Sequence, residues 1–385
     1  MILIQKRSFE RAAQRVKSLS ERPDDATLLR LYGLYKQARQ GDASGRLPIT
    51  EGMIAVAKYK AWQKCAGLPE GEAMSRYVEL VEACLQGESR ATDSSNGSAE
   101  SPIDDFSSAV GRIDDWSGRT VLISGASRGI GRAIALRFAE AGANLVLLGR
   151  TMQPGVVPGT LPETAAEVEA KGGEALCAPT DVRDEKAIAQ AVEAAMERFG
   201  GIDMVVCNAG ALFIAPFGET PMKRFDLMHQ VNLRATYALC QAALPALRAS
   251  DGGRILVLSP PISLESKWLD GSLAYTLSKY GMSMLVLGLS GELATDGIAV
   301  NAMWPATTID TAAVRSNEAL GGEQMARRSR KPSICADAAF EIASRPTDHS
   351  GFFHTDEAVL RQTGVTDLEC YAVEPGMSLQ PDFYL

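Results

Sequence analysis

The stretch Val121-Leu-Ile-Ser-Gly-Ala-Ser-Arg-Gly-Ile-Gly131 decides how most of this 385-residue chain is read. A short apolar run ends in glycines at 125, 129 and 131, and the sequence then becomes helical through Ala133, Ile134, Ala135, Leu136 and Phe138. Strand, tight turn and helix start follow one another. Such a turn lets the backbone come close to a pyrophosphate, while the unpaired N–H groups and positive dipole end of the helix attract the anion.

Working outward, Ala143 to Leu148 predicts a second buried strand, and helical patterns at 163–171 and 185–199 lead to strands at 174–182 and 202–207. Strands that alternate with helices predict an α/β fold, a Rossmann-type doubly wound parallel sheet with its ligands at the carboxyl ends of the strands. Gly149-Arg150-Thr151 closes the second strand. An acid there suits the ribose hydroxyl of NAD, whereas Arg150, with Arg128 in the glycine turn, suits the 2′-phosphate of NADP(H).

Upstream the pattern changes. Phe9, Ala12, Ala13, Val16 and Leu19 recur at helical spacing, and further helices are expected through Leu28 to Tyr35, Met53 to Cys65 and Glu72 to Cys84. No strand signal interrupts them, so residues 1–86 are expected to form a small all-α four-helix bundle. Residues 87–116 are mostly small and polar, which predicts a flexible linker. The α/β domain is then expected over 117–385. A linker of this kind raises the concentration of one domain's ligand near the other.

Composition narrows the function classes. A hydrophobic share of 46% and a formal net charge of -8 describe a globular chain without the basic surface that general nucleic-acid binding needs. The seven cysteines contain no Cys-x-x-Cys pair, and with three histidines no metal-ligand cluster is expected. No apolar run is long enough to span a bilayer, and the first residues lack a signal-peptide core, so a cytoplasmic protein without an integral membrane segment is expected.

Two families are resembled. Leu31-Tyr-Gly-Leu-Tyr-Lys-Gln-Ala38 with Gly41-Asp42, Lys58-Tyr-Lys-Ala-Trp62, and Glu72-Ala-Met74 with Tyr77 is similar to the acyl-CoA-binding protein family. The resemblance implies a fatty acyl-CoA ligand, with Tyr32, Lys36, Lys58 and Tyr77 at the CoA head group and Tyr35 lining the same site. Tyr59 stands where that family usually has tryptophan. Aromatic rings for an adenine face and ammonium groups for phosphates are what such a ligand needs.

Downstream, Ser124-Gly-Ala-Ser-Arg-Gly-Ile-Gly131, Asp181-Val182, Asn208-Ala209-Gly210, Asn232 and Tyr275-Thr-Leu-Ser-Lys279 resemble, in order, the short-chain dehydrogenase/reductase family. The resemblance implies cofactor contacts from Gly125, Ser127, Arg128, Gly129, Ile130, Gly131, Arg150, Asp181, Val182, Asn208, Ala209, Gly210, Tyr275, Lys279 and Thr308. It makes Tyr275 the general acid or base, with a phenol pulled down by Lys279 together with the oxidised nicotinamide, and gives Asn232 a supporting role through water. It also implies a dimer or tetramer.

Pro260 stands where that family places a serine to hydrogen-bond the reacting carbonyl, and a proline donates nothing. Ser259 is the expected substitute, Ser263 the second choice. Leu258-Ser-Pro-Pro-Ile262, Ala274-Tyr-Thr-Leu-Ser-Lys-Tyr-Gly-Met-Ser-Met284, Val300-Asn-Ala-Met-Trp-Pro305 and Gln380-Pro-Asp-Phe383 are similar to the hydroxysteroid dehydrogenase-like protein 2 subgroup, whose members commonly carry a sterol-carrier domain after the dehydrogenase. Residues 317–331 are expected to form a mobile substrate loop. Its basic run Arg327, Arg328, Arg330 and Lys331 reads as a solvated helix face, or as a contact for CoA phosphates. The resulting expectation is an NADP(H)-dependent oxidoreductase interconverting a carbonyl and an alcohol on a fatty acyl-CoA. The alternatives are an acyl-CoA carrier or sensor with a weakly catalytic dehydrogenase fold, and an enoyl-CoA reductase.

Overall fold

The computed structural model describes residues 2–16, 23, 25–43, 53–90, 112–316 and 321–384. The chain divides into two compact units, Met1–Ile103 and Asp104–Leu385.

The first unit is helical: α1 (Ile2–Arg15), α2 (Asp25–Gln40), α3 (Met53–Gln63) and α4 (Glu70–Arg90). Phe9, Ala12, Leu31, Leu34, Ala38, Met74, Tyr77 and Val81 are spaced at helical intervals and form its core. Helices α2 and α3 cross where Gly33 faces Ala61, so closely that a Cβ on Gly33 would lie 2.3 Å from the Ala61 carbonyl oxygen. Helix α4 continues to Arg90, into the stretch read as linker, and residues 91–111 of that stretch lie outside the described residues.

Residues 112–116, also read as linker, lie against the second unit. Trp116 is fully buried and meets Phe138 edge-on at 4.8 Å, and Arg112 pairs with Glu341 at 2.6 Å. The strands are β1 (Thr120–Ser124), β2 (Asn144–Gly149), β3 (Glu174–Pro179), β4 (Met204–Cys207), β5 (Arg254–Leu258), β6 (Ala299–Trp304) and β7 (Phe353–Thr355). They form one parallel sheet in the order β3-β2-β1-β4-β5-β6-β7. The order reverses between β1 and β4, which opens a crevice at their carboxyl ends.

Both faces of the sheet are covered. On one side α5 (Gly129–Glu140), α6 (Leu161–Ala170), α13 (Ser333–Ala343) and α14 (Asp356–Gln362) pack against Val121, Ile123, Leu145 and Leu147. On the other, α7 (Glu185–Phe199), α9 (Ala235–Ala249) and α10 (Leu273–Glu292) cover Leu122, Val146, Val205 and Ile255. Continuous apolar strands such as Asn144-Leu-Val-Leu-Leu-Gly149 are what a sheet buried on both faces requires. The remaining helices, α8 (Met222–Met228), α11 (Ala312–Arg315) and α12 (Gly322–Arg327), line the carboxyl end of the sheet. Among the described residues no helix is long and apolar enough to cross a membrane.

The tight α2–α3 crossing yields a test. Gly33→Ala must push the two helices apart, at a cost of about 2 kcal/mol. Thermal unfolding of the variant should lower the transition of the helical unit; an unchanged transition would show that the crossing tolerates a methyl group.

Candidate active site

The site is built at the crevice between β1 and β4. Gly125 has φ +71°, and a Cβ there would sit 2.8 Å from Asn208 Nδ2; a Cβ on Gly131 would lie 2.5 Å from both Asn208 Nδ2 and the Gly125 carbonyl oxygen. Asn208 Nδ2 donates to the Ser124 carbonyl at 2.9 Å, and the backbone N–H groups of Asn208 and Ala209 donate to Ser124 Oγ at 3.0 Å. Strand end, glycine turn and β4 end are thereby held together. Helix α5 starts with no side-chain cap, leaving its first N–H groups for an anion.

A cavity of about 970 Å³ runs from this turn along the ends of the strands. Gly125, Ser127, Arg128, Gly129, Ile130, Arg150, Asp181, Val182, Asn208, Ala209, Gly210, Tyr275, Lys279 and Thr308 all line it, whereas Gly131 lies behind the turn as the packing contact. Arg128 donates to Thr151 Oγ1 and to the Gly159 carbonyl, and its buried Nε has no partner. Arg150 is exposed at the same end. Asp181 is held at a pKa of about 2, chiefly by hydrogen bonds from Arg183, with Arg150 adding to the effect. Thr308 bonds Ser329 Oγ at 2.7 Å, so its hydroxyl is shared.

At the other end of the cavity Tyr275 and Lys279 lie four residues apart on α10, both nearly buried. Lys279 Nζ donates to the Leu258 carbonyl at 2.8 Å and stands 5.1 Å from the centre of the Trp304 ring. Burial lowers its pKa to about 8. The Tyr275 phenol departs from expectation: burial first, then Tyr384 and Asp382, push it well above its ordinary value. The phenol is protonated at neutral pH.

The structure places the groups of three further expectations. Asn232 lies in a π-helical turn, His229–Arg234, and its side chain bonds the Ala211 backbone and, at 2.9 Å, Ser278 Oγ, which ties it to α10 at the residue before Lys279. Ser259 is buried off the cavity with an unpartnered Oγ, and Ser263 Oγ accepts the Glu265 N–H. Neither serine faces Tyr275 across the cavity. Third, the basic run is spent locally. Arg327 pairs with Glu374, Arg330 with Glu357, Arg328 meets the Ser378 carbonyl and Lys331 the Cys370 carbonyl. Residues 317–320 of that expected loop lie outside the described residues.

Thr311, expected with Thr307 and Thr308 as a hydroxyl donor to the nicotinamide amide, also lines the wall, which is completed by residues given no role in the sequence reading: Trp268, Trp304, Gln380 and Asp382. Burial raises the Asp382 carboxyl to about pKa 7, against a hydrogen bond from the Phe383 N–H and the charge of Lys279.

In the helical unit the structure brings together Tyr32, Lys36 and Lys58. Lys36 Nζ lies 5.9 Å from the Tyr32 ring centre and 5.0 Å from that of Trp62, and Lys58 Nζ lies 5.4 Å from Tyr32. Tyr35, partly buried, stacks with Phe9 at 5.5 Å between ring centres, and the buried Tyr77 lies tilted against Phe9 at 4.9 Å. Trp62 was the missed member of the cationic cluster; only its place in the quoted motif pointed to it.

The cavity, the parallel sheet and the Tyr275–Lys279 pair coincide with a match to the family model for short chain dehydrogenases over residues 119–320. The chain belongs to the short-chain dehydrogenase family. The acyl-CoA-binding protein family model matches residues 6–81. A hydroxysteroid dehydrogenase-like protein 2 of Danio rerio is 49% identical over 270 residues, covering 70% of this chain and 64% of the relative. This chain thus spans under two thirds of that relative's length. A short-chain dehydrogenase structure from Mycobacterium thermoresistibile is 45% identical, with a TM-score of 0.66 over 70% of this chain and 96% of its own. A structure described as an NAD(P)-dependent gluconate 5-dehydrogenase from Beutenbergia cavernae, holding NADP at low occupancy, is 30% identical, with a TM-score of 0.54 over 63% of this chain and 97% of its own. Short-chain dehydrogenases bind a nicotinamide dinucleotide, and the residues here fit one: the glycine turn leaves the space that a Cβ would fill, and the α5 N–H groups are uncapped.

The glycine contacts set a test for this dehydrogenase. In Gly131→Ala the added Cβ meets Asn208 and Gly125, which should weaken nicotinamide-dinucleotide binding by about tenfold or more, read by fluorescence titration with NADPH and NADH, while the helical unit melts unchanged. Wild-type affinity in the variant would remove the turn from the binding site.

Proposed function

We propose that this short-chain dehydrogenase reduces a carbonyl group of a fatty acyl-CoA, such as a 3-oxoacyl thioester, with NADPH, and that the helical unit binds the thioester. The observation that carries this reading is the placement of Tyr275 and Lys279, four residues apart on α10, on the cavity that begins at the glycine turn. A bound reduced nicotinamide supplies hydride to the substrate carbon. Tyr275 gives its proton to the carbonyl oxygen, a role that needs a phenol protonated at working pH. Lys279 holds a positive charge near that oxygen, and its hydrogen bond to Leu258 fixes it there. Arg128 and Arg150 favour the phosphorylated ribose, since neither makes an ion pair among the described residues. The Tyr32, Lys36, Lys58 and Trp62 cluster offers rings and ammonium groups to a CoA head group. The enoyl-CoA reduction is the weaker chemical reading, served by the same acid.

Pro260 favours a second reading, a carrier or sensor that binds both ligands and turns over little, because the usual hydroxyl is missing at that position. NADPH oxidation by the whole protein against 3-oxoacyl-CoA and enoyl-CoA esters separates the two. Turnover with NADPH at least tenfold above NADH is expected. Tyr275→Phe should lower kcat by about 100-fold or more with NADPH and acyl-CoA affinities nearly unchanged. Tight binding of both ligands without turnover would select the carrier.

Self-association through the dehydrogenase unit belongs to the same proposal. Leu277, Met284 and Leu287 share the outer face of α10 and are 46%, 59% and 49% exposed, with Tyr237 of α9 also exposed. Light scattering should give a dimer or tetramer, and Met284→Glu with Leu287→Glu should give a smaller species; a monomeric wild type would remove the oligomer.

A further inference from the structure

The segment from Gln380 to Tyr384 is tied across the reactive end of the cavity at several points. The Thr308 N–H donates to the Gln380 carbonyl at 2.9 Å, the Asp382 N–H donates to the Ala306 carbonyl at 3.2 Å, and the Trp304 indole donates to the Phe383 carbonyl at 2.8 Å. Tyr384 is buried against Trp268, Tyr280 and Trp304, with its hydroxyl 3.1 Å from Thr276 Oγ1, beside Tyr275. These anchors hold Asp382 on the cavity wall together with Tyr275, Lys279 and Trp304.

The carbonyl-polarising position is vacant of a hydroxyl. Pro260 has none, its carbonyl is taken by Ser283 Oγ at 2.6 Å, and Ser259 and Ser263 do not line the cavity. The Trp304 indole N–H is already used. Among the side chains at this end, Asp382 has hydrogen-bonding capacity to spare: one oxygen accepts the Phe383 N–H, which leaves the other for a proton. Lys279 Nζ spends one of its three N–H groups on the Leu258 carbonyl, and its charge favours the ionised carboxyl.

We propose that Asp382 is a catalytic residue whose protonated carboxyl donates a hydrogen bond to the substrate carbonyl oxygen, in the role for which Pro260 has no group. The proposal rests on the reading of the site as a carbonyl reductase. As hydride from the reduced nicotinamide adds to the carbonyl carbon, the C=O electron pair moves to oxygen and takes the Tyr275 proton. Asp382 stabilises the growing negative charge and keeps its own proton, and Tyr275 is reprotonated from water.

The groups around the carboxyl agree with a neutral acid. Asp356 at the start of α14 opposes its ionisation, Lys279 favours it, and Tyr275, Tyr384 and Cys335 face it as neutral groups. Burial sets the balance at about pKa 7. The donor exists below that pH and is lost as pH rises through it, so kcat for reduction should fall on the alkaline side.

The experiment uses the whole protein, NADPH and a series of 3-oxoacyl-CoA esters, with Asp382→Asn and Asp382→Leu. The amide still donates and does not titrate. Asp382→Asn should keep kcat within about tenfold at about pH 6 and lose the alkaline limb, while Asp382→Leu should lose about 100-fold in kcat. NADPH affinity by fluorescence should stay within about twofold in both, which also shows that the fold is intact. Wild-type kcat in Asp382→Leu, or the same limb in Asp382→Asn, overturns the assignment. Infrared difference spectra against Asp382→Asn read the carboxyl without any substrate. A protonated acid at about pH 6 supports the donor even where no thioester is reduced, and a carboxylate at that pH overturns it.

Discussion

The contact on which the rest of the dehydrogenase unit depends is the approach of three backbones at the ends of β1, β4 and the start of α5. Asn208 lies within 3.2 Å of the carbonyls of both Ser124 and Gly125, and there is no volume for a side chain at 125 or 131. Hydrogen bonds to those two carbonyls fix where the sheet order reverses, and that reversal fixes the crevice. The start of α5 is uncapped because its first flanking residue, Arg128, carries only donors, which go to Thr151 and Gly159. Shape and anion attraction therefore meet at one turn.

From that point the two ends of the cavity diverge in character. Arg128 and Arg150 make the turn end cationic and open to water. The opposite end is walled by Tyr275, Trp268, Trp304 and, behind them, Tyr384, so each charge placed there loses hydration. The same desolvation lowers Lys279 and raises Tyr275 and Asp382, moving all three toward their neutral forms. A water-poor reactive end beside a hydrated anion end lets binding and proton transfer be set independently.

Much of this was legible in the sequence, for a physical reason. Strands buried on both faces must be continuously apolar, glycine is demanded where backbones touch, and Tyr275 and Lys279 share a helix face by spacing alone. What escaped depends on closure of distant segments. Asn232 matched a motif, yet its side chain is drawn to Ala211 and Ser278 by a π-helical turn that no local pattern announces. Tyr35 and Tyr77 carry the family's spacing but face Phe9, since a tyrosine at helical spacing serves core and site equally well. Trp116 and Ile113 were a readable signal inside the polar linker: two large apolar residues just before β1, which pack on the second unit. Asp382 stands about a hundred residues from Tyr275 and could be joined to it only by the fold.

The lowering of the Tyr275 phenol expected from Lys279 and an oxidised nicotinamide competes with desolvation, which sequence does not quantify. A cation four residues along a helix attracts a phenolate, but the attraction must exceed the cost of removing that phenolate from water. Here Lys279 is itself desolvated and engaged by the Leu258 carbonyl, while Tyr384 and Asp382 add to the burden on an anion at Tyr275. The neutral phenol prevails. A site that keeps its acid protonated, and its lysine only marginally so, is set to give a proton to a substrate oxygen. Giving up that proton would leave a phenolate in this poorly hydrated end of the cavity, where the charge of the neighbouring Lys279 offsets part of the cost of desolvation.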